Sequence, residues 1–401
     1  METLFSHMVN AMHAEDVKLL MKQSSGKNMI SFAGGMPNND LFPVQQIDEI
    51  YNTLPLDLKK LSFQYGPTSG YPPLVNSIRK YLNKKGLPVK DNKVLVTTGS
   101  LQAISIITQE FVNKGDVILT ETPCFVGALT VFETYGADIQ GIPIDENGIK
   151  IEALKKKIDS LDKKPKFLYV TPNYHNPAGI IYSPERKKEL LEVLSGTGII
   201  LLEDDAYNDL YFREEEKYLT KPMISYPKKD VEIIYTGSFS KILGPGFRLG
   251  YMLASPYIYE KAENIKQALD ACTSNLTQIL ANEFMKQGKL ETYLEFLRKE
   301  YSGRKELIHS SLKKYMPKEV SWNEPKGGFY VWLDLPEGVS STEIFKESVK
   351  EGVVFVTGRT FDPQSTKDDC LRLSFSNMPK ESIEEGVRIL AKAIQKVMDD
   401  H

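Results

Sequence analysis

Between about Lys93 and Leu253, the hydrophobic pattern alternates between two kinds of segment. Short runs of β-branched and apolar residues are followed by glycine or polar residues and then by apolar positions at helical spacing. The runs predict strands at Val94-Thr98, Val117-Thr120, Phe167-Thr171, Ile199-Glu203, Val231-Thr236 and Leu249-Ala254. The helical spacing predicts helices at Leu101-Asn113, Phe125-Tyr135, Ile151-Leu161 and Pro184-Leu194. Because several runs are apolar at nearly every position, we expect an α/β fold with a parallel sheet between helices.

The pattern changes beyond about residue 290. A long charged helix is predicted from Glu291 to Tyr315, followed by strands at 328–333 and 370–374 and a last helix at 382–397. This arrangement indicates a second, smaller α+β domain. The first forty or so residues hold a helical piece and then a Gly/Pro-rich loop, 33–38. We therefore divide the chain into an N-terminal arm with part of the small domain (1–45), a large domain (46–289) and a C-terminal small domain (290–401).

Composition and charge narrow the class of ligand. The chain has 401 residues, 41% hydrophobic and 26% charged, which is typical of a globular protein. Fifty Lys and Arg residues against 53 Asp and Glu residues give a formal charge of -3, which favours a small molecule over nucleic acid or a membrane surface. The first residues lack a basic region followed by an apolar run, so we expect neither a secretory signal nor a transmembrane helix.

Cysteine and histidine spacing gives no sign of a metal or a disulfide framework. Cys124, Cys272 and Cys370 form no C-x-x-C pair, which favours a reducing cytoplasm. Five histidines lack metal-binding spacing and are interpreted as structural or surface residues: His7, His13, His175, His309 and His401. We expect no metal cofactor.

The segment 236–250 carries the most informative group of reactive side chains. It follows an apolar strand and places Lys241 among small hydroxyl residues and glycines. A lysine at the end of a buried strand is partly desolvated, which lowers its pKa and frees its amine to attack a carbonyl carbon. Ser238, Ser240 and Arg248 can donate to an anionic group such as a phosphate. The glycines lack the Walker spacing and precede a strand, so a P-loop or a dinucleotide-binding loop is disfavoured.

Two other positions indicate charged ligands on physical grounds. Asp204 follows the apolar strand that ends at Glu203, where a carboxylate is costly to bury without a cationic partner. Its neighbour Asp205 can exchange roles with it on this pattern alone. The segment 98–102 lies where a strand passes into a helix, whose first N–H groups and dipole attract an anion. Ser100 in that segment can alternatively serve only as the helix N-cap.

Four segments occur in the order of one known family. They are S-x-S-K with G-x-R-x-G (238–250), the Asn-Pro-x-Gly turn (171–179), D-x-A-Y at a strand end (202–207) and a single arginine in a late strand (371–375). Together they resemble the fold-type-I pyridoxal-5′-phosphate (PLP) aminotransferases of class I and II, over about residues 31–390. The resemblance implies a large PLP-binding domain with a mostly parallel seven-stranded sheet sandwiched by helices, and a smaller α+β domain.

The resemblance also implies the cofactor contacts. PLP would form a covalent Schiff base with Lys241, and Asp204 would pair with its pyridine nitrogen. Asn176 and Tyr207 would hydrogen-bond its phenolic oxygen, although a turn-forming asparagine and an ordinary core tyrosine are the alternatives. The phosphate and the ring face would contact Ser100, the backbone of Leu101, Phe125, Ser238, Ser240 and Arg248. Phe125 alone would more often be a core residue.

Two positions are similar to the family's substrate and subunit contacts. Arg372 lies between two leucines in a strand, and its planar fork suits bidentate capture of an α-carboxylate; a structural salt bridge is the alternative. Segment 63–70 resembles a loop whose tyrosine reaches the phosphate of the neighbouring subunit. Tyr65 therefore implies a homodimer with shared active sites.

Segments 30–38 and 325–332 resemble the subgroup of 2-aminoadipate, kynurenine and broad-range aromatic or branched-chain aminotransferases. Gly35 is expected beside the substrate side chain, where the missing Cβ leaves space. The expected reaction moves the amino group of such an L-amino acid to a 2-oxo acid, most simply 2-oxoglutarate, in ping-pong fashion with Lys241 as general base. The alternatives are a β-lyase or decarboxylase on the same scaffold, or the effector domain of a PLP-sensing regulator.

Overall fold

The computed structural model describes Met8, residues 29–227 and residues 230–400. Most of the N-terminal arm before residue 29, including the helical piece expected there, lies outside the described residues. The same holds for His7, His13 and His401.

A mixed, mostly parallel sheet forms the centre of the molecule. Among the described residues it has eight strands, in the order β2-β9-β8-β7-β6-β3-β4-β5. Their bounds are β2 (Lys93–Thr97), β3 (Val117–Thr122), β4 (Asp138–Asp145), β5 (Gly148–Ile149), β6 (Phe167–Val170), β7 (Ile200–Asp205), β8 (Ile233–Ser238) and β9 (Gly250–Ala254). The four pairings from β4 to β8 are parallel, and the edge pairings with β2, β9 and β5 are antiparallel.

The expectation of a seven-stranded sheet is wrong by one strand, because the described sheet has eight. The additional strand is β5, a two-residue edge strand that turns back on β4 through Glu146 and Asn147. The α/β class and the mostly parallel sheet are confirmed.

Helices cover both faces of this sheet. Their bounds are α1 (Val44–Thr53), α2 (Leu56–Leu61), α3 (Pro72–Lys84), α4 (Ser100–Phe111), α5 (Val126–Thr134), α6 (Ile151–Ser160), α7 (Pro184–Leu194), α8 (Pro256–Asp270) and α9 (Asn275–Lys286). Neighbouring residues of one strand point to opposite faces, so Leu201 and Leu202 enter different hydrophobic clusters. Burial on both faces explains why these strands are apolar at nearly every position.

A second sheet lies in the C-terminal part. It has the order β10-β11-β14-β13, with β10 (Ser321–Trp322), β11 (Tyr330–Asp334), β13 (Val356–Thr357) and β14 (Cys370–Ser374). The chain here also forms α10 (Lys289–Tyr315), α11 (Ser341–Lys350) and α12 (Lys380–Asp399). A short parallel pair, β1 (Ile30–Ser31) with β12 (Val353–Val354), ties the start of the described chain to this part.

The two regions have separate hydrophobic clusters joined by α10. Leu290 and Leu297 of α10 pack in the cluster of the large sheet, whereas Ile308 and Leu312 pack in the cluster around β11 and β14. One helix therefore contributes to both cores.

Candidate active site

A cavity of about 720 Å³ lies at the carboxyl ends of β7 and β8. Its volume is within the range of small-molecule sites, which is roughly 300–1,000 Å³. Twelve of the predicted site residues line it: Gly35, Ser100, Leu101, Phe125, Asn176, Asp204, Tyr207, Ser238, Ser240, Lys241, Arg248 and Arg372. Tyr65 does not line it and is 81% exposed on this chain.

Lys241 follows the last residue of β8 by three positions, because β8 extends to Ser238, two residues beyond its predicted end. Its Nζ donates a hydrogen bond to the Gly35 carbonyl at 2.8 Å. The side chain is partly exposed to the cavity, but burial of the amine lowers the pKa of Lys241 to about 8, and the charges of Arg372 and Arg248 add to this effect. About a tenth of this amine is therefore unprotonated at pH 7, far more than for an ordinary solvated lysine.

The structure distinguishes the two adjacent aspartates. Asp204 faces the cavity, and its carboxylate accepts hydrogen bonds from Tyr169 Oη at 2.8 Å and Thr236 Oγ1 at 2.9 Å. Asp205 lies on the opposite face of β7 and accepts from Asn173 and Asn208. Burial raises the pKa of Asp204 to about 6, and the hydrogen bonds from these two neutral donors oppose that rise only in part.

A cradle of hydrogen-bond donors lies where β2 leads into α4. The N-cap of α4 is Gly99, with φ of 84°, and not Ser100, which is the first helical residue. No side chain caps this helix, so its first N–H groups are open to a ligand. Arg248 donates to the Thr98 carbonyl at 3.3 Å, and Ser238 Oγ accepts from the Ser240 N–H at 3.1 Å. Serine hydroxyls, a guanidinium and a helix start thus meet at one end of the cavity.

Close packing of two glycines holds the cradle together. A Cβ on Gly250 would lie 2.6 Å from the Gly99 carbonyl carbon and 2.7 Å from the Ser100 nitrogen. The start of β9 therefore touches the start of α4 directly. Only a residue without a side chain fits at this contact.

Arg372 is buried on β14 without an ionic partner among the described residues, so the alternative of a structural salt bridge is wrong. Its Nη1 donates to Asn176 Oδ1 at 2.8 Å and its Nη2 to the Ala33 carbonyl at 2.5 Å. Within the described chain its Nε has no hydrogen-bond partner. The guanidinium lies between the rings of Tyr330 and Phe361, at 4.5 and 4.7 Å from their centroids. Such a group is prepared to bind a carboxylate.

Sequence reasoning missed several residues of the site, and Tyr330 is the most prominent. Its hydroxyl lies 2.8 Å from that of Tyr207, and both side chains are buried. A Cβ on Gly35 would collide with this hydroxyl. The missing side chain at Gly35 therefore makes room for Tyr330, which corrects the expectation that it makes room for the substrate. Gly35 still lines the cavity.

Tyr169 and Thr236, which hold Asp204, were also missed. For Thr236 a signal existed, because it lies directly opposite Asp204 in the parallel register of β7 and β8. Aligning the two predicted strands by their first residues, Ile199 and Val231, gives this register. His175 is buried and bonds Glu121 at 3.0 Å, so it has a structural position behind the site. Residues 29–227 and 230–400 contain no cluster of three or more side chains suited to a metal ion.

The side chains of the cavity fit a flat cofactor that carries a ring nitrogen, a carbonyl and a phosphate. Asp204 is a buried carboxylate that lacks a cationic partner among the described residues, and Lys241 offers a partly unprotonated amine. The uncapped start of α4 offers donors to an anion. PLP has the three matching groups.

Comparisons with known proteins agree with this fit. Residues 27–390 match the family model described as aminotransferase class I and II. An aromatic-amino-acid aminotransferase of Thermococcus litoralis is 33% identical over 401 residues, covering 99% of this chain and 95% of that protein. A 2-aminoadipate transaminase of Thermus thermophilus is 33% identical over 397 residues, covering 98% and 97%. The solved structure of a Pyrococcus horikoshii kynurenine aminotransferase, in complex with PMP, superposes with a TM-score of 0.94 at 35% identity and covers 98% of each chain.

The chain belongs to the class I and II aminotransferases. It is a PLP-dependent transaminase of fold type I, and the resemblance drawn from its motifs is confirmed. No helix in the described part of the chain is long and apolar enough to cross a membrane.

Proposed function

We propose that this aminotransferase moves the amino group of an L-amino acid with an aromatic, branched-chain or 2-aminoadipate-type side chain to 2-oxoglutarate, in ping-pong fashion. The 2-aminoadipate donor, whose side chain ends in a carboxylate, is supported by the similarity to the Thermus thermophilus 2-aminoadipate transaminase. The observation that carries the aromatic and branched-chain donors is the lining of the cavity. There the described side chains are mainly uncharged, among them Met29, Ile30, Val356, Phe361 and Met378. The cationic residues of the described lining are Lys241, Arg248 and Arg372. We assign them to the cofactor carbonyl, the phosphate and the substrate α-carboxylate, so none of them is left for the substrate side chain.

The proposed residue roles follow from the chemistry of each side chain. When bound, PLP supplies a carbonyl that links to amines and a ring that withdraws electrons from the substrate Cα. We propose that Lys241 anchors the cofactor through Nζ and, when released by the substrate, takes the proton from Cα. Its pKa of about 8 places it close to the working pH of a general base.

Asp204, Tyr207 and Asn176 are proposed to hold the cofactor ring. Asp204 stays ionised beside the ring nitrogen because the nitrogen supplies the cation that this buried carboxylate lacks. Tyr207 and Asn176 donate toward the phenolic oxygen, and Phe125 packs against the ring. Asn176 at the same time orients Arg372 through its Oδ1. Arg372 holds the substrate carboxylate with its fork.

We propose that the phosphate binds in the cradle, with Ser100, the Leu101 backbone, Ser238, Ser240 and Arg248 as donors. Tyr65 of a second copy would complete it. Support comes from the exposure of Phe63 and Tyr65, 81% each, on a loop that does not enter the cavity of its own chain. The protein is then a homodimer with shared active sites, acting on amino acids and 2-oxo acids rather than on nucleic acid or membranes.

Two further proposals concern the whole chain. The first is the division into an arm with part of the small domain (1–45), a large domain (46–289) and a small domain (290–401). Phe32 supports the arm's place in the small domain, because it packs in the cluster around β11 and β14. The first half of α10 packs in the cluster of the large sheet, so the boundary at residue 289 follows the start of this helix and not the division between the clusters. A cytoplasmic location agrees with three free cysteines, Cys124, Cys272 and Cys370.

A visible-absorbance titration of the PLP-loaded protein tests the proposed function. Aromatic, branched-chain or 2-aminoadipate donors should bleach the band of the lysine-linked cofactor, and 2-oxoglutarate should restore it. Bleaching by aspartate alone would contradict the donor class, and release of ammonia with pyruvate would indicate a lyase.

A lysine substitution tests the anchor. Lys241→Ala should abolish both the band and turnover. Lys59→Ala is the matched control, because Lys59 also donates to a backbone carbonyl, that of Asn52 at 3.0 Å, but lies outside the cavity. A Lys241→Ala protein that keeps the band would overturn the assignment.

A further inference from the structure

Two buried tyrosine hydroxyls meet at the wall of the cavity. Tyr207 Oη and Tyr330 Oη are 2.8 Å apart, and the two rings pack edge to face with centroids 5.7 Å apart. Tyr330 is 1% exposed and lies on β11, 123 residues further along the chain. Within the described residues, Tyr207 is the hydrogen-bond partner of the Tyr330 hydroxyl.

Three contacts fix Tyr330 in this position. Its strand pairs with β14, and Tyr330 lies opposite Ser374 in the register. Its ring lies under the Arg372 guanidinium at 4.5 Å. Its hydroxyl occupies the space left by the absent side chain of Gly35. The hydroxyl is thus held against Tyr207 and has little freedom to turn elsewhere.

The direction of this hydrogen bond follows from proton counting. Each tyrosine hydroxyl has one proton to donate and can also accept. If Tyr207 donates its proton toward the cofactor, as proposed above, the proton between the two hydroxyls must come from Tyr330. A donor that itself accepts a hydrogen bond becomes a stronger donor, because the two bonds polarise each other.

We propose that Tyr330 is a positioning residue that donates to Tyr207 and thereby strengthens the hydrogen bond from Tyr207 to the phenolic oxygen of the bound cofactor. The inference rests on the proposed role of Tyr207. The Tyr330 ring has a separate role, because it packs against the Arg372 guanidinium and holds it in place. Hydroxyl and ring can therefore be tested separately.

The hydroxyl has a measurable consequence in the pH dependence of the cofactor absorbance. When the lysine-linked cofactor loses its proton, negative charge on its phenolic oxygen increases, and a strong donor stabilises that form. The donor therefore lowers the pH at the midpoint of the absorbance change. The charged groups around the two tyrosines are Arg372, Lys241 and Asp204, and none of them is altered by removing the Tyr330 hydroxyl.

The decisive experiment is a double-mutant cycle on the PLP-loaded protein, read by visible absorbance against pH. Tyr330→Phe should raise the midpoint by about half a pH unit. Tyr207→Phe should raise it further, and adding Tyr330→Phe to Tyr207→Phe should change it no more. Tyr174→Phe is the matched control, because the Tyr174 hydroxyl is buried without a partner among the described residues and lies outside the cavity.

A kinetic comparison separates the hydroxyl from the ring. Tyr330→Phe should leave KM for the amino donor near the wild-type value, because the ring under Arg372 remains. Tyr330→Leu should shift the midpoint in the same direction and also raise KM. Since both variants lack the hydroxyl, either one is sufficient to test the midpoint if the other fails to fold.

The outcomes separate this inference from the function on which it rests. An unchanged midpoint in Tyr330→Phe, with a shift in Tyr207→Phe, would overturn the inference and leave the proposed function standing. A shift of equal size with and without Tyr207 would overturn it as well, because Tyr330 would then act by another route. If Tyr207→Phe itself produced no shift, the proposed role of Tyr207 would fail, and the inference with it.

Discussion

Asp204 is a single residue whose burial for cofactor binding lowers the stability of the folded apoprotein. Its carboxylate is buried and receives two hydrogen bonds from neutral hydroxyls. Burial raises its pKa from the ordinary 3.8 to about 6, so the folded chain without cofactor disfavours the ionised form. A carboxylate whose pKa is raised by folding begins to cost stability as the pH rises through its unfolded pKa, and the cost is complete above the folded pKa.

We therefore expect Asp204→Asn to stabilise the apoprotein while weakening PLP binding. At pH 4 Asp204 is largely protonated in the folded state, so the cost of its charge is small. As the pH rises from about 4 to 6, the unfolded chain ionises first and the wild-type protein loses stability, by roughly 1.4 kcal/mol per unit of pKa shift. The variant avoids this loss but gives up about one hydrogen bond, so a net gain of about 1–2 kcal/mol is expected at pH 8.

Denaturant unfolding of both apoproteins at pH 4 and pH 8 measures this difference. The gain should be absent or reversed at pH 4. A variant that is less stable than wild type at pH 8 would show that Asp204 is not buried as an unpaired charge.

Arg372 permits a second prediction at the residue scale. Lysine keeps the charge but not the planar fork, so Arg372→Lys should raise KM for donor and acceptor by about 10–100-fold, corresponding to the loss of one charge-assisted hydrogen bond. Steady-state kinetics with both substrates measures it. Arg388→Lys, on the exposed face of α12 beside Glu385, is the control that should leave both KM values unchanged.

At the scale of the element, Gly250 and Gly303 form a matched pair. Gly250→Ala would push the start of β9 against the backbone of α4 and should weaken PLP binding by about tenfold or more, since overpacking typically costs 1–3 kcal/mol. Gly303 lies within α10, and a Cβ there meets nothing within 4 Å. Gly303→Ala should therefore stabilise the protein by about 0.4–1 kcal/mol and leave PLP affinity unchanged. Equal PLP affinities for the two variants would contradict the tight contact at the cradle.

The elements that the sequence predicted best are those buried on both faces. All six predicted strands of the α/β region are present, because continuous apolar runs such as Leu168–Val170 are unambiguous. Strand β4 was not predicted, since Gly141 and Pro143 interrupt its apolar pattern and it lies near the sheet edge. Strands β7 and β8 extend beyond their predicted ends because Asp205 and Ser238 are polar yet buried and hydrogen-bonded.

Site residues that belong to a local sequence motif could be predicted, whereas contacts between distant segments of the chain could not. Lys241, Asp204 and Arg372 stand in recognisable local patterns. The contact of Gly35 with Tyr330 joins residues almost 300 positions apart, and the orientation of Asp204 rather than Asp205 depends on which face of β7 turns toward the cavity. Strand register and the packing of the second sheet determine both, and neither is encoded in a short motif.

For the whole molecule, the prediction with the widest consequence is the shared site. Lys241→Ala and Tyr65→Phe variants should each have little activity at limiting PLP. A dimer formed from one copy of each would contain one site with both residues intact, so mixing them under conditions of subunit exchange should restore about a quarter of wild-type activity. Sedimentation should give twice the mass of one chain. A mixture that gains no activity would contradict a site shared through Tyr65.

The position of helix α10 in both cores determines how the protein unfolds. Because its first turns belong to the core of the large sheet and its later turns to that of the second sheet, neither core can melt without exposing apolar surface of the other. Two regions that look separable on inspection are thereby bound into one thermal transition. Calorimetry should then record one unfolding peak. Proteolytic cleavage inside α10 should leave two fragments, each with apolar core surface exposed to water.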